Sequence, residues 1–428
     1  MGIMSTSNAA IDIKALDSAG LEALLVALGQ PKYRARQIER WLYAPDTGVR
    51  SFEEMTDLPR DLRARLSETC RITFPEITQR RVSADGARKY LLQLADGSYV
   101  ECVGIPSGRF GETGRLTVCF STQVGCAMGC VFCASGRKGL VRSLSSGEML
   151  DQLIVVAQDF AQDFALNSPH FDNNPHFETR VTNAVAMGQG EPFCNYDATL
   201  AALRFMNNPK LFGIGARRLV VSTCGILEPL RRFASEPEQF TLAVSLHSAI
   251  QASRNLLLPS LAGQPLIKLR EVLTEYMRAT GRRPSLEFAL IDGVNDTAEE
   301  LEALIAFCKG HGEYRPTKPP RFGEAAFGDS YFEDSGHEGL GHEDLGHEGL
   351  RHKPLSARLS NPGFHVNLIP LNTIDHLDWK PSPIARIRDF EKRLKDAGIE
   401  ASIRLSRGSD IFSACGQLAG QLAGQLAG

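Results

Sequence analysis

The sequence predicts an α/β protein, repeated βα units on a parallel sheet or barrel, preceded by a small helical domain and a β-hairpin linker. Three observations predict it. From Leu116 onward, short β-rich runs alternate with segments of helical period, the pattern of repeated βα units on a parallel sheet. Upstream, two Asp-Gly turn signals bracket a strand pattern. Further upstream, leucines recur at i, i+3, i+4 and i+7. The resulting plan is a disordered tail over 1–15, a basic helical domain over 16–71, a β-hairpin extension over 72–115 and the barrel over 116–415. A low-complexity insert at 311–362 interrupts the barrel, and a repetitive tail covers 416–428.

Residues 1–15 show no periodicity. Leu21, Leu24, Leu25 and Leu28 form one face of a first helix, closed by Gly29 with Pro31 beyond. A second helix near 34–43 sets Ile38, Trp41 and Leu42 apart from Arg34, Arg36 and Arg40. A third, after Pro59, carries Arg60, Arg63 and Arg65. Taken alone, such a face is a solvated helix surface. Asp85-Gly86 and Asp96-Gly97 flank a strand over 89–94, and a second strand over 99–106 carries Glu101 in an apolar run. Such a Glu is either outward-facing and inert or aimed at something, and alternation alone favours the outward reading.

The barrel strands are expected at 116–120, 183–187, 218–222, 241–246, 285–291 and 365–369. Ser145-Ser-Gly-Glu148 is a capping box before a helix over 149–157, and Asp296-Thr-Ala-Glu299 announces another carrying Leu301, Leu304, Ile305 and Cys308. Chemistry in such folds gathers at the C-terminal ends of the strands. Those ends read Gly188-Gln-Gly190-Glu191-Pro192, Ser222-Thr-Cys-Gly225, Ser245-Leu246-His247-Ser248, Asp292-Gly-Val-Asn-Asp296 and Pro370-Leu-Asn372. Glycines admit a close backbone approach, and the polar side chains orient a ligand. The insert, with Gly336-His-Glu-Gly-Leu and two near-copies, reads as low complexity rather than as a metal tract.

Composition narrows the classes. With 428 residues, 43% hydrophobic and 23% charged, the chain has the make-up of a soluble globular protein, and no apolar run approaches a membrane span. A net charge of −3 leaves nucleic-acid binding to local basic patches. Ten cysteines are too sparse for a secreted disulfide scaffold, and their clustering suits a reducing cytosol. Three of them form Cys126-x3-Cys130-x2-Cys133, with Cys119 seven residues upstream. Three thiolates do not close a tetrahedral zinc site. A cluster held by three cysteines keeps one iron open for a ligand.

That loop, with Met187-Gly-Gln-Gly-Glu-Pro192, Ser245-Leu-His247, Asn367-Leu-Ile-Pro-Leu-Asn372 and Gly408-Ser-Asp-Ile-Phe-Ser-Ala-Cys415-Gly-Gln-Leu, resembles the radical S-adenosylmethionine (SAM) superfamily. More narrowly it resembles the RlmN/Cfr family of RNA adenosine methyltransferases, from about residue 16 to 420 apart from the insert. The resemblance implies a partial parallel (βα)6-type radical SAM barrel with one 4Fe-4S cluster on Cys126, Cys130 and Cys133. It puts SAM contacts at Gly190, Glu191, Ser222, Ser245, Leu246, His247 and Asn372. Cys415 becomes the methyl-carrying cysteine, Cys119 its disulfide partner and Glu101 the proton acceptor, with Cys119 an alternative acceptor. The implied partners are RNA, met by the basic N-terminal helices, and a reductant such as flavodoxin, for a cytoplasmic monomer. The substrate is ribosomal RNA, in some members also tRNA, methylated through an S-methylcysteine at the expense of two SAM molecules. Cys133-Ala-Ser-Gly-Arg-Lys-Gly-Leu and Asn208-Pro-Lys-Leu-Phe212 look nearer a carbon-8 branch, Gln123-Val-Gly and the basic domain nearer a carbon-2 branch. A radical SAM enzyme on another substrate, or a non-catalytic RNA-binding assembly factor, are the alternatives.

Overall fold

The structure, a computed structural model, describes residues 10–44, 48–107, 114–137, 139–167, 180–312, 314–316, 363–374, 377–414 and 416–418. Three helices open it: α1 (Ser18–Ala27), α2 (Arg34–Tyr43) and α3 (Arg60–Thr69). Asp17 starts α1 by accepting the Gly20 N–H at 2.7 Å, and Leu21, Leu25, Ile38, Leu42, Leu62 and Leu66 bury their common face. Two short strands, β1 (Ile11–Asp12) and β2 (Cys70–Arg71), pair in parallel across the ends of this unit. Residues 11–15, expected to belong to a disordered tail, are ordered instead, while residues 1–9 lie outside the described residues. Ile13 is buried, and the Lys14 ammonium is ion-paired inside the protein with Asp151.

The main sheet begins with β3 (Glu76–Val82), β4 (Arg88–Gln93) and β5 (Tyr99–Ser107), joined at the two expected Asp-Gly turns. It continues through β6 (Arg115–Cys119), while β7 (Gln123–Gly125) and β8 (Leu140–Ser143) form a separate small hairpin. Then come β9 (Val181–Ala186), β10 (Leu219–Thr223), β11 (Thr241–Ser245), β12 (Ser285–Leu290), β13 (His365–Pro370) and β14 (Glu400–Ile403). The order is β14-β13-β12-β11-β10-β9-β6-β5-β4-β3, parallel from β14 to β6 and antiparallel from β6 to β3. The barrel stays open, with β14 and β3 as its edges. The hairpin extension is no mere linker, because β5 pairs with β6 in register Val103↔Cys119 and lengthens the barrel sheet itself.

The helices of the βα units are α4 (Ser146–Asn167), α5 (Tyr196–Asn207), α6 (Leu227–Ala234), α7 (Gln251–Leu257), α8 (Leu266–Thr280), α9 (Ala298–Lys309) and α10 (Ile384–Asp396). The capping box at α4 forms as read: the Ser145 N–H donates to Glu148 Oε2 at 2.9 Å, and the Glu148 N–H to Ser145 Oγ at 3.2 Å. At α9 the cap is Thr297, whose Oγ1 accepts the Glu300 N–H at 3.3 Å. Asp296, expected there, instead accepts from Gly293 N and Ser382 Oγ. Among the described residues, no helix is long and apolar enough to cross a membrane. The insert beyond residue 316 and the tail beyond residue 418 lie outside the described residues.

Candidate active site

The cysteine loop is held from four sides. β7 and β8 pin its base, where Gly125 adopts φ +75° and a Cβ would collide with the Gly139 carbonyl. The Cys126 N–H donates to that same carbonyl at 3.0 Å. Ser260 Oγ donates to Ala127 O at 2.9 Å, and the Val131 N–H to Leu257 O at 3.3 Å, so α7 and the turn after it fix the far side. The Ala134 N–H reaches Gly416 O at 2.8 Å, which brings the chain's C-terminal segment onto the loop. Cys126 and Cys130 are buried and Cys133 half-buried. Burial pushes the thiols of Cys126 and Cys133 up.

All three cysteines face a cavity at the C-terminal ends of the parallel strands. Gly190, Glu191, Ser222, Ser245, His247 and Asn372 share its wall. Gly190 sits at φ +98°, and a Cβ there would lie 2.6 Å from the Gln123 side chain, so only glycine lets the two loops close. Glu191 does a second job: Oε1 accepts the Phe193 N–H at 3.0 Å and Oε2 the Cys224 N–H at 2.7 Å. It ties the loop after β9 to the loop after β10, and burial raises its carboxyl while these N–H donors oppose the shift. Leu246 departs from expectation. Its side chain is fully buried away from the cavity lining, its N–H donates to Glu287 O at 3.0 Å, and its carbonyl accepts from Ser248 at 2.7 Å.

His247 is a non-glycine residue at φ 56°, a conformation that costs energy and recurs at functional sites. Its ring lies edge-on to Phe132 at 4.6 Å, and Nδ1 accepts the Ala289 N–H at 3.1 Å, leaving the proton on Nε2. Burial, helped by the nearby Arg254 charge, pushes its pKa down to about 3, so the ring is neutral at working pH.

Cys119 ends β6, and on the same sheet face lies Glu101, two residues before its register partner Val103. Glu101 is 1% exposed, and its Oε1 lies 2.9 Å from Lys89 Nζ. Lys89 also donates to Phe412 O at 2.9 Å. The outward placement drawn from alternation is wrong here, because the C-terminal segment covers that face and turns it inward. A second cavity, lined by Cys119 together with Ser413, Ala414 and Leu418, shares Met187, Ile369 and Arg404 with the first. Cys415 itself lies outside the described residues, between Ala414 and Gly416, both of which border these cavities.

Sequence reasoning missed three charged groups. Glu287, 4% exposed on β12, lines the cavity while accepting from Ser285 Oγ at 2.7 Å and Asn367 Nδ2 at 2.9 Å. Arg404 follows β14, and Arg254 lies on α7, 1% exposed. Only Glu287 had a signal, a charged residue inside an apolar strand run. Cys224 is buried with its Sγ 3.9 Å from Cys130 Sγ, whereas Cys194 is exposed.

The donor set fits an iron–sulfur cluster better than zinc. Among the described residues, no three His, Cys, Asp or Glu side chains converge on one ion position, which tetrahedral zinc requires. A cluster takes each thiolate on a different iron and makes no such demand. The cavity's mixture of main-chain approach and neutral polar donors suits a polar organic cofactor beside it.

Comparison with known proteins agrees. A family model described as the ribosomal RNA large subunit methyltransferase N-terminal domain matches residues 11–72. A probable dual-specificity RNA methyltransferase RlmN of Syntrophomonas wolfei is 34% identical over 94% of this chain and 95% of its own. The protein of the same description from Nostoc punctiforme is 38% identical over 94% of this chain and 91% of its own. The crystal structure of a radical SAM methyltransferase from Sphaerobacter thermophilus superposes with a TM-score of 0.72 at 34% identity, covering 96% of this chain and 100% of that one.

Proposed function

Since the chain belongs to the RlmN family of RNA methyltransferases, we propose that it methylates carbon 2 of an adenosine in large-subunit ribosomal RNA. The observation that carries this reading is the meeting of the cysteine loop and the strand-end polar groups on one cavity, which shares Met187, Ile369 and Arg404 with the cavity that Cys119 lines. The ground for taking carbon 2 rather than carbon 8 is the basic N-terminal helical domain together with Gln123-Val-Gly, which look nearer the carbon-2 branch. The relatives' description as dual-specificity is the ground for a second RNA substrate, tRNA.

Cys126, Cys130 and Cys133 would hold a 4Fe-4S cluster, which when bound supplies one-electron chemistry on SAM. Gly190 lets the loop after β9 close against Gln123 at the wall of the cavity that would take the cofactor. Ser222, Ser245, Asn372 and the Nε2 proton of neutral His247 offer it hydrogen bonds. Cys415 would carry the methyl group as a thioether, and Cys119 would release the finished base through a mixed disulfide. Glu101, held by Lys89 on the Cys119 face, is the proton acceptor in this scheme. Arg36 and Arg60, exposed on the N-terminal helices, offer phosphate contacts, whereas Arg63 and Arg65 already donate to Glu53 O at 2.6 Å and Leu28 O at 2.8 Å.

The test is mass spectrometry of nucleosides after anaerobic reaction of cluster-loaded enzyme with reductant, SAM and ribosomal RNA. The expected product is 2-methyladenosine, with labelled methyl trapped on wild-type protein but not on Cys415→Ala. A product of 8-methyladenosine overturns the carbon assignment, and a loaded enzyme that methylates no RNA overturns the reading.

His247 allows a sharper expectation. Because its ring stays neutral far below pH 6, His247→Ala should weaken SAM binding by roughly five- to tenfold, the loss of about one hydrogen bond. The ratio of variant to wild-type affinity should be the same at pH 6 and pH 8. A ratio that changes between them would mean that His247 acts as a titrating group.

A further inference from the structure

We infer that Arg254 is the buried counter-cation of the iron–sulfur cluster and raises its reduction potential. This rests on the reading of the cysteine loop as a cluster site. Arg254 is 1% exposed on α7, the helix whose Leu257 carbonyl accepts from Val131 inside the cysteine loop. One guanidinium nitrogen donates to Cys224 O at 2.6 Å, and Cys224 Sγ touches Cys130 Sγ at 3.9 Å. Among the described residues, no carboxylate pairs with this guanidinium, and its buried Nε has no hydrogen-bond partner. A charge this buried costs several kcal/mol unless an anion answers it.

Negative charge on the sulfurs of Cys224 and Cys130 would favour its cationic form. Burial lowers its pKa to about 10, which leaves it cationic at neutral pH. A cluster on three thiolates is anionic, and one-electron reduction adds a further negative charge. A fixed cation at close range and low dielectric favours the reduced form over the oxidised one. Sequence spacing gave this residue no role, since it stands between Ser253 and Asn255 in no motif.

The experiment is an anaerobic redox titration, followed by electron paramagnetic resonance, of reconstituted wild type, Arg254→Met and Arg254→Lys. At a potential where wild type is half reduced, R254M is expected to show a reduced-to-oxidised ratio at least tenfold lower, a shift of about 59 mV for one electron. R254K should lie within threefold of wild type, because it keeps the charge while losing the planar fork. An R254M ratio equal to wild type overturns the inference. If R254M does not fold or load, R254K decides alone: normal loading and ratio support the charge role, and loss of the cluster overturns it. Failure of wild type itself to bind about four irons defeats the cluster reading instead, so the two failures are distinguishable.

Discussion

Cys130→Ala is expected to give a folded, colourless protein whose RNA methylation falls at least roughly 10³-fold, equivalent to about 4 kcal/mol of barrier. The argument lies in what the thiol does and does not support. Cys130 sits in a loop whose backbone is held by the β7–β8 hairpin, α7 and the C-terminal segment, none of which needs its sulfur. As a buried thiol it packs with Cys126, Val131, Phe132 and Cys224 in a small satellite cluster rather than in the main core. Removing one sulfur there costs roughly 1 kcal/mol, so the melting transition of the metal-free variant should nearly match that of metal-free wild type. Iron content, however, should collapse, since two thiolates are left where three are needed. Iron and sulfide assays, a thermal melt and nucleoside analysis together check this. A variant that keeps four irons and turns over would sink the assignment of the loop.

Lys14→Met is expected to destabilise the protein by about 3–5 kcal/mol, the cost of leaving one member of a buried ion pair without its partner. Lys14 and Asp151 are each 3% exposed at the side chain, and Lys14 Nζ also lies 4.9 Å from the Phe74 ring centroid. The pair joins the chain ahead of α1 to α4, and a Cβ on Gly147 would collide with the Lys14 carbonyl, so helix and segment are in direct contact. Burial pushes the Asp151 carboxyl up to about 6, with Lys14 opposing the shift. In the variant that opposition is gone and the carboxyl rises further.

The unfolded reference is about 3.9, so between that value and the raised one the folded state binds the proton more tightly. Stability therefore falls as pH rises through this window. The deficit of K14M against wild type should widen from pH 6 to pH 8, by about 1.4 kcal/mol for each unit of further rise. Denaturant midpoints at the two pH values test it, and an equal deficit at both would mean that lost packing, not the stranded carboxylate, carries the cost. A Lys14→Met/Asp151→Leu double variant should recover much of the loss.

Local signals survived into the structure because their physics is local. The Ser145/Glu148 box closes within a single turn, and the Asp-Gly turns need only their own backbone. Six barrel strands stood out because strands buried on both faces read as unbroken apolar runs. The seventh, β14, spans four residues with one buried position, too little pattern to register. The placement of the Gly190, Ser222, Ser245, His247 and Asn372 wall beside the cysteines followed from parallel topology, which brings every strand's C-terminal end to one rim.

Spacing and residue type alone thus determined the helical start, the βα order and the three-cysteine loop, each set by neighbours within a turn or a strand. The tertiary structure decided the rest, because burial is a property of what covers a residue and not of its own period. Alternation sent Glu101 outward until the segment around Phe412 closed over it. Lys14 looked like tail until Asp151 met it from α4. Arg254 was one basic residue among many until α7 set it, unpaired by any described carboxylate, against the cysteine loop.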